Sequence, residues 1–215
     1  MRVIVTGSSR GIGRAIADEF LNNGHEVFGI DRLQSSISHE NYTHIRADIA
    51  SDTLPDISDC EILINNAGVQ NTGADIDINL KATMALTEKY AFQDKIKSVL
   101  FIASSSARTG AEFPEYAASK GGIVAYMKNV ASRVAKYGAV SNSLSPGGVI
   151  SELNDHIVND KNLYEQVLNE TMLHRWATCG EIAKWAYFVA AVNKSMTAQD
   201  ILIDNGEDAK TNFIW

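Results

Sequence analysis

The stretch that decides the fold is Thr6–Gly13, which reads TGSSRGIG and follows the β-branched run Arg2–Val5. Its three glycines stand where a strand turns into a helix, and this is the context that a phosphate-binding loop requires. Gly7 can make the tight turn, Gly11 can let the backbone approach a pyrophosphate, and Gly13 can let the helix pack on the strand. The unpaired N–H groups of the helix start would then face the phosphates. A strand-to-helix turn without a ligand is the alternative at this point.

The rest of the chain alternates between short β-branched runs and longer stretches with a helical period. The helical patterns are predicted to end at Gly24, before Gly138 and near Val192. Strands separated by helices predict parallel crossovers. We therefore expect one α/β domain over residues 1–215, a doubly wound parallel (Rossmann) sheet of about seven strands with helices on both faces. The strand candidates are Arg2–Val5, Glu26–Ile30, Thr43–Ile45, Glu61–Ile64, Ser98–Ile102, a run from about Val140 to Leu144, and Ile201–Ile203.

Composition narrows the classes of function. Hydrophobic residues make up 45% of the chain, enough for a sizeable core, and the formal net charge is −7. An acidic chain without a Lys/Arg run is not expected to bind nucleic acid. No segment approaches the roughly 18 apolar residues of a membrane span. Cys60 and Cys179 lack the spacing of metal ligands or of a disulfide framework, so we expect no metal site and a cytoplasmic protein.

An acid at the end of the second strand predicts the type of cofactor. Asp31 lies roughly 20 residues beyond the glycines, where a carboxylate can accept hydrogen bonds from the hydroxyls of an adenosine ribose. The same carboxylate would repel the 2′-phosphate of NADP, so NAD is favoured. Arg10 and Arg32 could instead pair with that phosphate, and NADP stays open.

Two further motifs accompany the glycine loop: Asn65–Gly68, which reads NNAG, and Tyr116–Lys120, which reads YAASK. The three motifs occur in this order and at predicted strand ends, and their combination resembles that of the short-chain dehydrogenase/reductase family. The resemblance covers the whole chain. The resemblance implies an NAD(P)-dependent oxidoreductase that interconverts an alcohol and a ketone or aldehyde by hydride transfer. The cofactor contacts predicted from the loop and the resemblance are Gly7, Ser9, Arg10, Gly11, Ile12, Gly13, Asp31, Arg32, Asp48, Ile49, Asn66, Ala67, Gly68, Tyr116, Lys120, Pro146, Gly147, Val149 and Ser151.

The spacing of Tyr116 and Lys120 has a chemical reason. Residues four apart share one face of a helix, so these two side chains can meet. A free tyrosine titrates near pH 10, too high for efficient proton transfer at neutral pH, and a neighbouring ammonium would favour the phenolate. Tyr116 is therefore the predicted general acid/base, and Lys120 its activator and a ribose anchor.

The remaining catalytic residues are predicted from strand ends and from the resemblance. A hydroxyl must hold the substrate oxygen beside the tyrosine, and matching the end of the strand Ser98–Ile102 to the family selects Ser104. Tyr116 then follows after 12 positions, one fewer than usual in the family, so Ser105 stays open. Asn79 would complete the tetrad by holding a water that connects Lys120 to solvent.

The resemblance also implies a mobile lid over the substrate at about residues 152–176, where five side chains could line the pocket: His156, Tyr164, Met172, His174 and Trp176. It implies a homodimer or homotetramer, assembled through the helix bearing Tyr116, to which the terminal Phe213–Trp215 could add contacts. A catalytically silent NAD(P)-binding sensor or scaffold is the alternative function. An epimerase or dehydratase of the extended group would need an added domain, for which this length leaves no room.

Two connections are short for the family. Only 17 positions separate Asp31 from Asp48, and only 11 separate Gly68 from Asn79. These segments would ordinarily border the adenine pocket and the subunit-facing helix. We therefore predict an unusually open adenosine site.

Overall fold

A computed structural model describes residues 1–111 and 113–211 of the protein. Seven parallel strands form one sheet in the order β3-β2-β1-β4-β5-β6-β9. The doubly wound parallel sheet is thereby confirmed, and each predicted strand agrees with an observed one to within two residues at either end. The strands of the sheet are β1 Arg2–Thr6, β2 Glu26–Asp31, β3 Tyr42–Arg46, β4 Ile62–Asn65, β5 Ser98–Ile102, β6 Val140–Pro146 and β9 Asp200–Ile203.

Helices cover both faces of the sheet, as predicted. The longest helix ends on a three-residue 3₁₀ turn at Ala135–Tyr137. Gly24 and Gly138, expected to close two helices, both have positive φ, at 76° and 71°. They take this left-handed conformation without the strain that a side chain would cause. The helices are α1 Gly11–Asn22, α2 Thr83–Tyr90, α3 Ser106–Thr109, α4 Pro114–Val134, α5 Asp155–Val158, α6 Lys161–Leu168 and α7 Cys179–Tyr187, with π-helical turns at Ile76–Ala82 and Phe188–Val192.

Alternate residues of each strand face opposite helical layers, because side chains along a strand point to the two faces in turn. Val3 and Val5 of β1 pack with α1 and α7, whereas Ile4 between them packs with α2 and α4. Strand β5 follows the same rule: Leu100 faces the first layer and Val99 the second. Two apolar cores therefore sandwich the sheet and fix the strand ends that carry the candidate site.

The connections from β2 to β3 and from β3 to β4 differ from the simple alternation of strands and helices. Within the described residues, neither 32–41 nor 47–61 contains a helix. A parallel crossover through a helix takes a dozen or more residues, and the first of these segments is too short for one. The short stretch predicted between Asp31 and Asp48 therefore holds β3 but no helix, and among the described residues the β3 side of the sheet lacks both crossover helices.

One pair of strands was missed by the sequence analysis. β7, Val149–Ile150, pairs in parallel with β8, Ala177–Thr178, outside the main sheet. The pairing joins the two ends of the segment predicted to be a lid. Across residues 1–111 and 113–211, no helix is both long enough and apolar enough to cross a bilayer.

Candidate active site

The glycine loop is tied to the NNAG motif by hydrogen bonds at the carboxyl ends of β1 and β4. Thr6 Oγ1 accepts the backbone N–H groups of Asn66 and Ala67, each at 3.0 Å. In return, Asn66 Nδ2 donates to the carbonyl oxygens of Thr6 and Gly7, at 3.0 and 3.3 Å. Two motifs 60 residues apart in the chain thus form one rigid unit, at the point where the strand order reverses.

The three glycines of the loop meet different structural requirements. Gly7 and Gly11 adopt positive φ, at 68° and 56°. A side chain on Gly13 would collide with the carbonyl oxygen of Gly7 and with Asn66 Nδ2. Beside Gly11, by contrast, the nearest heavy atom to an added Cβ is Glu152 Oε2 at 3.6 Å. The loop therefore packs tightly at Gly13 and leaves open space at Gly11, the first residue of α1. This open helix start suits the binding of a diphosphate.

Asp31 lies at the end of β2 and faces the glycine loop. Its carboxylate accepts the backbone N–H of Ser9 at 2.9 Å and that of Leu33 at 2.8 Å, and Ser9 Oγ donates to the Leu33 carbonyl. The structure thus brings Asp31 and Ser9 together, as a ribose site requires. Arg10 and Arg32 are exposed, and neither pairs with an acid among the described residues.

Asp48 and Ile49 follow β3 at the same edge of the sheet. Asp48 Oδ1 accepts the N–H of Ala50 at 2.9 Å, and the N–H of Asp48 donates to Asp52 at 2.8 Å. Ile49 is partly buried against the core beneath α2 and α4. The turn at residues 48–52 therefore positions both residues. It places the polar Asp48 next to the apolar Ile49 where the adenine is predicted to bind.

Lys120 lies inside the protein, with 6% of its surface exposed. Its Nζ donates to the carbonyl oxygen of Ile102, the last residue of β5, at 2.8 Å. The same ammonium lies 5.7 Å from the ring centre of the partly exposed Tyr116, one helical turn earlier. Burial lowers the pKa of Lys120 to about 8, while Asp75 raises it. The predicted meeting of the two side chains is thus seen in the structure.

Asn79 lies in the π-helical turn Ile76–Ala82 and is buried. Its Oδ1 accepts the N–H of Val69 at 2.7 Å, while its Nδ2 donates to the Val69 carbonyl at 2.9 Å and to Ser119 Oγ at 3.0 Å. Ser119 Oγ in turn donates to the carbonyl of Tyr116. Asn79 therefore links the loop after Gly68 to the helix that carries Tyr116 and Lys120.

Ser104 and Ser105 follow β5 and have different surroundings. Ser104 is buried, and its Oγ lies 3.2 Å from Ser106 Oγ and accepts the N–H of Ser106 at 3.2 Å. The backbone N–H of Ser105 donates to the carbonyl oxygen of Pro146 at 2.9 Å. That bond joins the ends of β5 and β6, so the serine candidates stand beside the Pro146–Gly147 corner.

The corner after β6 leads to the remaining predicted cofactor contacts. Gly147 donates to the carbonyl of Ile203, and Val149 begins β7 with its carbonyl accepting Asn154 Nδ2 at 2.8 Å. Ser151 then adopts an extended conformation. Gly11 and Ser151 line one cleft of about 340 Å³, together with Glu152 and Cys179. The glycine loop and the predicted contact at Ser151 therefore border the same cleft.

Comparison with known proteins identifies the family. The sequence profile described as short chain dehydrogenase matches residues 1–162. The chain belongs to the short-chain dehydrogenase family. It is 29% identical to the 3-oxoacyl-acyl-carrier-protein reductase FabG of Chlamydia pneumoniae, over 95% of this chain and 96% of that protein. It is 27% identical to the gluconate 5-dehydrogenase of Gluconobacter oxydans, over 95% and 93% of the two chains.

A solved structure agrees with this family. The short chain dehydrogenase family protein from Francisella tularensis superimposes with a TM-score of 0.83 at 26% identity, covering 97% of this chain and 99% of its own. As a short-chain dehydrogenase, the chain is an NAD(P)-dependent oxidoreductase that acts on CH–OH and C=O groups of small molecules. The glycine loop with its open Gly11 and the carboxylate of Asp31 fit a dinucleotide.

Segment 152–176 of this short-chain dehydrogenase contains α5 and α6. Trp176 is buried, its ring centre lies 5.6 Å from that of Tyr164, and its indole fills the space beside Gly148. His174 Nε2 lies 3.2 Å from Glu165 Oε1. Trp176 and Tyr164, both predicted to line the substrate pocket, thus pack against each other within segment 152–176.

Two further side chains of the same segment can be placed. Met172 is mostly exposed and lies against Gly206. His156 lies in the short helix α5.

One residue of this short-chain dehydrogenase was not singled out by the sequence. Asp75 is completely buried at the start of the π-helical turn. An acid there is typical of an exposed first helical turn, so only the fold could reveal its burial. The predicted contacts of Phe213–Trp215 lie outside the described residues.

Proposed function

We propose that Tyr116 is the general acid/base of this oxidoreductase, with Lys120, Ser104 and Asn79 as its catalytic partners. The observation that supports this most strongly is the buried ammonium of Lys120, held by the Ile102 carbonyl 5.7 Å from the ring centre of Tyr116. A lysine is rarely buried without a function or a partner. Its place beside a partly exposed tyrosine, at the carboxyl ends of the strands, suits proton transfer to a substrate.

Each residue has a defined task in this proposal. The NAD(P) cofactor, when bound, supplies or accepts the hydride. Tyr116 donates a proton to the substrate oxygen during reduction and removes it during oxidation. The ammonium of Lys120 favours the phenolate form of Tyr116. Ser104 holds the substrate oxygen by a hydrogen bond, with Ser105 as the other candidate, and Asn79 fixes the loop beside Lys120.

NAD is the proposed cofactor, in preference to NADP. The carboxylate of Asp31 is held by two backbone N–H groups, so it cannot easily turn away from a 2′-phosphate. Arg10 and Arg32 are the cations that would support NADP, but both are exposed. A screened surface charge compensates little for a buried carboxylate. The other residues proposed to contact the cofactor are those predicted from the sequence.

The remaining proposals concern organisation. Residues 1–215 form one domain in this proposal, with the segment 152–176 as the lid over the substrate. Cys60 and Cys179 are free thiols, which suits the reducing conditions of a cytoplasmic location. The family resemblance supports a homodimer or homotetramer that assembles through α4.

The test compares Tyr116→Phe with Tyr137→Phe, a matched change at the far end of the same helical region. Both variants and the parent are assayed with NADH and NADPH against a set of ketones, aldehydes and alcohols, and turnover is followed by nicotinamide absorbance. Tyr116→Phe should bind NADH normally, as measured by fluorescence, and lose activity by roughly 10²–10⁴-fold. Unchanged turnover in Tyr116→Phe would refute the assignment of the acid/base. A parent that binds NADH but turns over no substrate would favour the sensor.

A further inference from the structure

Ser8, the third residue of the glycine loop, is completely buried, so its hydroxyl cannot reach bulk water. Ser8 Oγ lies 3.1 Å from Tyr42 Oη, and among the described residues Tyr42 is the only hydrogen-bond partner of this hydroxyl. Tyr42 stands 34 positions later in the chain, as the first residue of the edge strand β3. Strand β3 does not neighbour β1, because β2 lies between them. A side chain of the glycine loop therefore depends on a strand at the edge of the sheet.

Gly29 of β2 makes this contact possible. In the sheet, Gly29 is paired with Val5 of β1 on one side and with His44 of β3 on the other. A Cβ added to Gly29 would collide with both Tyr42 Oη and Ser8 Oγ. Tyr42 Oη also lies 3.4 Å from Nδ1 of His44, whose ring stacks on that of Tyr42. The two hydroxyls therefore meet over Gly29, and the tyrosine ring is supported by its own strand.

Two neighbouring residues of the glycine loop are thus fixed by two different strands. Asp31, at the end of β2, accepts the backbone N–H of Ser9 at 2.9 Å, while Tyr42 of β3 contacts the hydroxyl of Ser8. Gly11 begins α1 only two positions after Ser9. A diphosphate is bound by the N–H groups of such a helix start, and it binds more tightly when those groups are already in place.

We propose that Tyr42 is a positioning residue for the phosphate-binding loop and acts through the hydroxyl of Ser8. This inference rests on the proposed contacts of the loop with the cofactor, whereas the contact between the two hydroxyls does not. Removal of Tyr42 Oη leaves the Ser8 hydroxyl buried without a partner, which costs more than the removal of both partners. We expect the loop to shift until Ser8 reaches water, so that its N–H groups no longer meet the diphosphate in one fixed arrangement.

The first test compares ADP with adenosine as ligands, by NMR titration of the parent, Tyr42→Phe and Tyr187→Phe. ADP carries the diphosphate that the loop would bind, and adenosine does not. In Tyr42→Phe, the affinity for ADP should fall about three- to tenfold, while that for adenosine should not change. Tyr187→Phe is the matched control, because Tyr187 contacts Phe20 and His25 beyond the other end of α1. An unchanged affinity for ADP, or an equal loss for both ligands, would overturn the proposal.

A double-mutant cycle tests whether Tyr42 acts through Ser8. The affinities of Tyr42→Phe, Ser8→Ala and the double variant for ADP are compared with that of the parent. Ser8→Ala in the Tyr42→Phe background removes the hydroxyl that has lost its partner. The double variant should therefore bind ADP no more weakly than Tyr42→Phe alone. Losses that add up would show that the two residues act separately, contrary to the proposal.

Hydrogen exchange then separates positioning of the loop from general support of the fold. In Tyr42→Phe without ligand, the backbone N–H groups of residues 8–13 should exchange faster than in the parent, while those of the central strand β4 should not change. Unchanged exchange in the loop, or equal acceleration in both segments, would refute a positioning role. If the parent binds neither NADH nor ADP, the proposed cofactor site fails, while the exchange result still decides whether Tyr42 fixes the loop.

Discussion

The carboxylate of Asp31 accepts the backbone N–H of Ser9 at 2.9 Å, which ties the end of the second strand to the glycine loop. A residue expected to recognise the ribose therefore also holds the phosphate-binding loop. Because Asp31 is 8% exposed and its carboxylate is fixed by the loop, this carboxylate acts on a ligand bound in the adenosine site.

Asp31→Asn should change the preference between NAD and NADP. The amide removes the negative charge but keeps an oxygen that accepts one N–H, so the loss of stability should be only about 1 kcal/mol. We expect the ratio of kcat/KM for NADP to that for NAD to rise about tenfold or more, since 1.4 kcal/mol of relieved repulsion corresponds to that factor. The measurement is steady-state kinetics with both cofactors. Asp56→Asn, at an exposed site, should leave the ratio unchanged, and an unchanged ratio in Asp31→Asn would argue against the charge effect.

Gly13→Ala and Gly180→Ala should have opposite effects on stability, although both glycines lie in helices. An added methyl group at Gly13 meets the Gly7 carbonyl and Asn66, whereas nothing lies within 4 Å of one at Gly180. Alanine in a helix normally stabilises by about 0.5–1 kcal/mol relative to glycine. We expect this gain at Gly180, and at Gly13 a loss of about 1–3 kcal/mol together with weaker NADH binding. Urea unfolding and NADH fluorescence titration measure the two effects, and equal behaviour of the variants would be inconsistent with the tight loop.

Lys120 should make folding stability increase with pH above about 8. Below that value the folded and unfolded chains both hold the proton, and the cost of the buried ammonium is fully present. Between about 8 and 10.5 the folded chain releases a proton that the unfolded chain keeps, so this cost disappears as the pH rises. The free energy of unfolding of the parent, relative to Lys120→Met, should rise by about 2 kcal/mol from pH 8 to pH 10.

Urea unfolding at several pH values checks this difference. Burial raises the pKa of Cys60 to about 12, which lowers stability above about pH 9 in both proteins alike, so the comparison cancels that effect. Lys128, exposed on the same helix, provides the control variant Lys128→Met. A parent and Lys120→Met that respond equally to pH would show that the buried lysine does not titrate in this range.

The start of α7 should be sensitive to the loss of its cap. Thr178 Oγ1 accepts the N–H of Glu181, and Glu181 accepts the N–H of Thr178 and pairs with Arg175 at 2.8 Å. Thr178→Ala should cost about 1 kcal/mol, and Glu181→Ala should cost more because Arg175 also loses its partner. Thermal unfolding measures both, with the exposed Glu40→Ala as a control. A Glu181→Ala variant as stable as the parent would disprove the cap.

The same cap predicts behaviour in acid. The Arg175 guanidinium and the backbone of Thr178 lower the pKa of Glu181 to about 2. The stabilisation is therefore complete above about pH 4.5 and is lost as the pH falls towards 2. The acid unfolding curve of Glu181→Ala should differ from that of the parent by the absence of this contribution.

The sequence predicted the main sheet because its strands carry a strong local signal. Ser98–Ile102 is an apolar, β-branched run, and its bounds agree with the structure. The edge strand β3 was predicted one residue too short at each end, since its polar residues Tyr42 and Arg46 gave no such signal. The alternation rule failed at both connections around β3: residues 32–41 are too few for a helical crossover, and residues 47–61 contain no helix although their number would allow one.

The sequence placed the candidate site residues where a motif marks a strand end, and it missed those whose position depends on contacts between distant residues. Gly7, Asn66 and Lys120 were recognised from their motifs, and the structure brings them to one edge of the sheet. The strands β7 and β8 have two residues each and no periodicity, so only their pairing reveals them. Asp75 resembled an ordinary acid at a helix start, because its burial depends on how the loop folds over it.

The parallel pairing of Val149–Ile150 with Ala177–Thr178 has an evolutionary consequence. It brings the two ends of segment 151–176 side by side, and Cys179 Sγ adds a contact to the Ile150 carbonyl. A segment whose ends already meet can be replaced by one of another length or composition at little entropic cost. We expect chimeras that exchange this segment between relatives to fold around an unchanged sheet. Such a module would let selection alter the proposed lid while the main sheet and the glycine loop stay as they are.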